Sequence, residues 1–264
     1  MNRYYQILIS AGIGLVLPGI AQASFSSTSQ TYTYSTASGA TDSVGDPVSA
    51  QASFSLSGDT MVVTLVNQQS GIKSVGQNIS SVFFDVSSCN SVLSLSNNNF
   101  TGSGNEAQVG SYGTITGTQS NASLDYNNGG HWQLSSSGNT VSINDLAGGG
   151  QPYQTVIGPE NAQNSYSTQS DYTQVKNSIF DNTSHNPFTQ NQANFTVKFP
   201  PGELGSNFSI SNVKIGFGTT SDDTQNCLPP TRKLPEPGTL PLLAIGALAI
   251  GLGRSRFQRS GAYS

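Results

Sequence analysis

The chain has 264 residues, and setting aside two signal-like ends leaves roughly 210, enough for one large all-β domain or two small ones. Charged residues make up only 9%, with Gly, Ser, Thr, Asn and Gln in their place, and this weak charge argues against a disordered chain, which pairs low hydrophobicity with high net charge. Between Ser24 and Leu234 six basic residues (Lys73, Lys176, Lys198, Lys214, Arg232 and Lys233) stand against thirteen acidic ones, a dispersed excess that excludes nucleic acid as a partner, because phosphates need clustered Lys and Arg.

The N-terminus reads Met1-Asn2-Arg3, then an apolar run from Ile7 to Ile20, then Ala21-Gln22-Ala23. One positive charge, a short hydrophobic core and a small-x-small box make a secretory signal peptide over residues 1–23, with Ala21 and Ala23 marking cleavage after Ala23. This signal helix implies Sec-type export machinery as a partner. Residues 24–46 are polar and Ser/Thr-rich, either a flexible arm or an edge strand.

Residues 47–221 read as a β-rich ectodomain. Ala52, Phe54 and Leu56 alternate up to Gly58-Asp59, and Met61 to Val66 returns, which predicts a hairpin. Further predicted strands cover Ile79–Val86, Val92–Leu95, Tyr112–Ile115, Trp132–Leu134 and Val141–Ile143. Phe195, Val197 and Phe199 alternate, and Phe208, Ile210, Val213, Ile215 and Phe217 form the last long run. No segment keeps a 3.6-residue apolar period, and only a short helix near Tyr172–Phe180 is entertained. Many short strands between Gly/Asn/Ser turns predict an all-β fold of β-sandwich or jelly-roll type. Residues 222–234 read as a linker.

The C-terminus has three parts in order: Pro235-Glu236-Pro237, an apolar segment over residues 239–253, and a basic end, 254–259, with Arg254, Arg256 and Arg259. Two prolines hold the tripeptide extended, and the arginines after the apolar segment belong on the cytoplasmic side. This predicts a single transmembrane helix, short for a bilayer, with the tripeptide just outside the membrane. A plain permanent anchor is the rival reading. The tail resembles the PEP-CTERM sorting domain of exosortase substrates, with Pro235, Glu236 and Pro237 in the motif positions and Arg254 opening the basic cluster. The resemblance covers about the last thirty residues. It implies recognition and cleavage by an exosortase, a Gram-negative-type envelope, and a precursor in the inner membrane that ends at the cell surface or outside the cell. A fainter resemblance to the same class of ectodomains lies in His185-Asn186-Pro187-Phe188, Phe195-Thr196-Val197 and Ile215-Gly216-Phe217-Gly218-Thr219, and it implies no chemistry.

Residues that could carry chemistry are few. Cys89 and Cys227 are the only cysteines, and an even pair in an oxidising compartment reads as a disulfide closing a loop of about 140 residues; two separate thiols are the alternative. His131 and His185 have no ligand spacing around them, so the sequence predicts no metal site and no cofactor. No Gly-x-Ser-x-Gly elbow occurs, and Asp222-Asp223 reads as a solvated turn rather than a catalytic pair. No catalytic residue is assigned. Tyr126, Trp132 and Tyr153 are weighed as a sugar-stacking set against ordinary packing. The expectation is a non-enzymatic surface or extracellular-matrix protein with a structural or adhesive role in exopolysaccharide-associated material. A carbohydrate-binding module is the alternative, and a secreted hydrolase a more distant one.

Overall fold

Period-two alternation becomes strand along most of the body. The computed structural model describes residues 30–87, 93–110, 113–146, 151–160, 166, 183–201, 203–204, 208–220 and 223–228. Among them are twelve strands and no α-helix: β1 (Gln30–Thr36), β2 (Ala50–Ser57), β3 (Thr60–Asn67), β4 (Ile79–Ser87), β5 (Phe100–Val109), β6 (Ile115–Ser123), β7 (Gln133–Ser137), β8 (Thr140–Asn144), β9 (Val156–Ile157), β10 (Phe188–Lys198), β11 (Ser209–Phe217) and β12 (Thr224–Leu228). The predicted signal helix, the helix considered near Tyr172–Phe180 and the C-terminal transmembrane helix lie outside the described residues.

The strands form one sheet in the order β6-β5-β10-β3-β2-β1-β12-β11-β4-β8-β7. The short β9 pairs with both β10 and β4, which joins β10, β3, β2, β1, β12, β11, β4 and β9 into a closed ring of eight. Every ladder is antiparallel except β9 on β10, where β9 takes over the edge of β10 that β3 leaves at Val66↔Gln192. The hairpins β5–β6 and β7–β8 extend outward from β10 and β4. The all-β expectation holds, but the two-sheet sandwich or jelly roll gives way to a single sheet closed like a barrel. Strand spacing counts strands; it does not say whether the outermost ones meet.

Two segment boundaries also change. Residues 24–46 contain β1, which lies between β2 and β12 rather than at an edge, with Tyr32, Tyr34 and Thr36 turned inward. The Tyr34 hydroxyl donates to the Ile210 carbonyl across the barrel. Residues 222–234, read as a linker, contain β12, paired with β1 at Ser35↔Leu228 and Thr36↔Cys227 and with β11 at Lys214↔Asn226. Leu93 and Leu95 are buried, yet their stretch is not a strand: Ser136 Oγ donates to the Leu93 carbonyl at 2.9 Å and accepts from the Leu95 amide at 2.8 Å, taking the place of a ladder.

The barrel interior is aromatic. Tyr34 meets Phe54 edge-on at 5.7 Å between ring centroids, Phe54 meets Phe84 at 4.8 Å, and Trp132 and Phe100 flank Phe195 at 4.8 and 5.4 Å. Such rings contribute roughly 1.5–3 kcal/mol each through burial. A second cluster of Ile72, Val75, Val109, Ile157, Tyr166 and Phe188 packs apart from it.

Candidate functional site: an acidic cleft on the barrel rim

Four stretches come together at one end of the barrel: residues 37–49 after β1, 68–78 after β3, 183–187 before β10, and 218–220 with Asp223 after β11. They enclose a cleft of about 520 Å³ lined by Asp42, Ser74, Gly76, His185, Thr219 and Asp223, among others.

The first wall is a turn built by one carboxylate. The Asp42 amide donates to the Asp46 carbonyl at 2.8 Å, and Asp42 Oδ1 accepts from the amides of Val44 at 3.1 Å and Asp46 at 2.8 Å. Asp side chains favour this local bonding, which sets a tight turn without a strand partner. Oδ1 is thereby occupied, while Oδ2 is buried with no partner. Burial pushes the Asp42 carboxyl above its ordinary value, the two amides oppose this, and the nearby carboxylates of Asp46 and Asp223 add to it.

The second wall is the 3-10 turn Val75–Gln77. Gln77 ties it down: Oε1 accepts from the amides of Lys73 at 2.7 Å and Ser74 at 3.3 Å, and Nε2 donates to the Pro47 carbonyl at 2.8 Å. Ser74 is buried at the N-cap of this turn. Asp223 closes the third side, accepting on Oδ2 from the Ser43 amide at 2.8 Å, while its carbonyl accepts from the Phe217 amide at 2.9 Å. His185, buried at the end of a 3-10 turn, has Nδ1 2.8 Å from the Pro152 carbonyl. A carbonyl only accepts, so Nδ1 carries the hydrogen of this bond.

The cleft thus presents two carboxylates and several hydroxyls, and neither Lys nor Arg is among its described lining residues. Its chemistry is that of an acceptor-rich, negatively charged seat. Among the described residues no three His, Cys, Asp or Glu side chains converge as a metal cage would require, and no helix is long and apolar enough to cross a membrane.

The residues singled out from sequence are placed differently. Ala21, Ala23, Cys89, Pro235, Glu236, Pro237, Arg254, Arg256 and Arg259 lie outside the described residues. Cys227 is a free thiol on β12, packed against the core, and burial pushes it up to about 11. Trp132 is fully buried and Tyr126 is 57% exposed, so the structure does not gather Tyr126, Trp132 and Tyr153 into one exposed stacking face. Tyr153 instead packs on His131 at 4.6 Å, and burial lowers the pKa of that imidazole. Asp223, read as half of a solvated turn, is 9% exposed and belongs to the cleft.

A second buried polar group serves the fold. Gln154 Nε2 donates to Glu106, Gln154 Oε1 accepts from the His131 amide at 2.9 Å, and the Gln154 carbonyl accepts from Trp132 Nε1 at 3.1 Å and Thr189 Oγ1 at 2.8 Å. These bonds join β5, β10 and the His131-Trp132 segment that leads into β7.

Asp42, Ser74, Gly76 and Asp223 were not legible as a set. The Asp42-to-Asp46 stretch carries only a turn signal, and the bond from Ser43 to Asp223 spans 180 residues of sequence. Compared with known proteins, the chain matches no family model, no curated protein and no solved structure.

Proposed function

We propose that the chain is an exported bacterial surface or extracellular-matrix protein, non-enzymatic, with a structural or adhesive role in exopolysaccharide-associated material. The signal helix directs it to Sec-type export. The C-terminal helix holds the precursor in the inner membrane until an exosortase acts at Pro235-Glu236-Pro237 and releases the body to the surface. The observation that carries this reading is the order of signals at the two ends of the sequence. The described strands, from Gln30 to Leu228, lie wholly between them, with residues 229–234 separating β12 from the motif.

The test is replacement of Pro235, Glu236 and Pro237 together by Ala in the native host. A larger, membrane-held precursor is expected on immunoblots of fractionated cells. Maturation and release at the wild-type rate would overturn the sorting assignment.

A further inference from the structure

The outer face of the barrel carries a depression of its own. It spans four neighbouring strands, β8, β4, β11 and β12, and encloses about 550 Å³ lined by Phe83, Asp85, Thr140, Asn212, Lys214 and Asn226, among others. On β4 the buried Val82, Phe84 and Val86 turn to the core, so Phe83 and Asp85 face outward, each half-buried. The ladders set their neighbours: Phe83 stands opposite Lys214, Lys214 opposite Asn226, and Asp85 opposite Thr140.

One carboxylate in this depression is fixed in place. Asn212 Nδ2 donates to Asp85 Oδ2 at 2.7 Å, and Thr140 Oγ1 donates to Asp85 Oδ1 at 2.6 Å. Asn212 reaches Asp85 because β11 holds one extra residue between Ser211 and Lys214, with Asn212 at φ 50. Asn accepts this left-handed backbone more readily than most side chains, and such a bulge re-aims the residue that carries it. The bonds from Asn212 and Thr140 hold the Asp85 carboxyl below its ordinary value against slight burial, and Lys214 adds attraction. Asp85 is therefore an ionised acceptor at neutral pH, with lone pairs to spare.

The mixture of groups selects the ligand. Asp85 opposes an anion and Lys214 opposes a cation, so the occupant is neutral. It offers hydroxyl donors to Asp85 and acceptors to the Lys214 ammonium and the Asn226 amide. It also covers the apolar surface of Phe83. A pyranose ring meets all three demands, with hydroxyls around its edge and C–H groups on its face. A peptide fits poorly: β4 and β11 are paired on both sides, leaving no edge for an added strand, and a single ring does not make an apolar groove.

We propose that this outer-face depression binds a neutral glycan, with a pyranose unit lying on Phe83 and its hydroxyls bonded to Asp85, Lys214 and Asn226. Asn212 and Thr140 are positioning residues for Asp85. The site deepens the adhesive role proposed above and rests on that reading for the source of the glycan.

The experiment is biolayer interferometry of the full-length protein, in a detergent without a sugar headgroup, on sensors coated with dextran, galactomannan or xylan. Alginate and gelatin coats serve as polyanion and polypeptide comparisons. Binding to at least one neutral polysaccharide is expected, with none to alginate or gelatin. Phe83→Ala and Asn212→Gly should each weaken that binding by roughly tenfold. The second variant keeps the left-handed backbone and removes only the amide. Binding should be lost in acid as Asp85 takes up a proton. Lys214 is the charged group facing it, and Asn212→Gly, which removes the bond that lowers this carboxyl most, should raise the pH of half-binding. Asp59→Asn, in the β2–β3 turn, should bind as the wild type does. Should Phe83→Ala fail to fold by circular dichroism, Asn212→Gly carries the test. No binding to any neutral polysaccharide, or wild-type binding by the folded variants, overturns the proposal. Binding to alginate or gelatin alone overturns it in favour of a polyanion or a peptide. Sorting at Pro235-Glu236-Pro237 is read in cells and glycan binding on purified protein, so either can fail while the other stands.

Discussion

Asp145 shows how an alternating pattern and a residue's chemistry can conflict. Val141 and Ile143 face the core on β8, and two residues on, Asp145 continues in the same phase. Its amide donates to the Ser80 carbonyl at 2.9 Å, and it is 4% exposed with neither carboxyl oxygen partnered. Burial holds its carboxyl well above the ordinary 3.8. The folded state thus keeps the proton more tightly than the unfolded chain does. The associated stability is present below the ordinary value and lost as pH rises through the raised one. Asp145→Asn, neutral throughout, should match the wild type in acid. At neutral pH it should be more stable by roughly 1–3 kcal/mol, as thermal melts across the pH range would show. Cys227 sits on the same scale, since nothing near it in sequence revealed a strand that buries its thiol.

Which elements could be read from sequence depended on who fills the inward positions. β2, β3 and β4 carry their own apolar side chains inward, and all three were predicted. β5 was missed because Gly102 and Gly104 occupy inward positions. The structure gives the reason: a carbon added at Gly102 would lie 2.9 Å from the Phe195 ring, and one at Gly104 would lie 2.6 Å from Thr189 Cγ2. The neighbouring strand's side chains fill the space, so the glycines mark packing rather than a loop. β11 was predicted with its interruption visible, since Ile210 to Val213 is three residues instead of two. The structure places a register shift there, with Asn212 at φ 50. β9, only two residues long, leaves no period to detect, yet it closes the ring. Gly158 follows it directly, and a carbon at that position would come 2.0 Å from the Gln69 carbonyl oxygen. Gly158→Ala should push β9 from its seat and destabilise the fold by roughly 1–3 kcal/mol. Hydrogen exchange should report faster exchange at the Thr189 amide, which donates to Thr155 at 3.0 Å. Unchanged protection there would mean that the seam tolerates the added carbon.

At the scale of the molecule, the ring closes through β12, whose last residue is Leu228. A chain of residues 24–234 should therefore show the same far-UV circular dichroism and melting midpoint as the full-length protein in matched detergent. A midpoint lowered by more than a few degrees would mean that the tail takes part in the fold. The sequence marked both ends as separate from the body because each has its own composition. It gave no sign of ring closure, which depends on contacts between residues far apart, such as Ile79 with Val156 and Thr36 with Cys227. The position of β12 also has a mechanical consequence. It lies between β1 and β11 and is hydrogen-bonded to both, so tension applied through the C-terminal end along its axis loads two ladders together in shear. A terminal strand at an open edge would instead peel away bond by bond under the same pull. β12 is thereby held from both sides against a pull on that end.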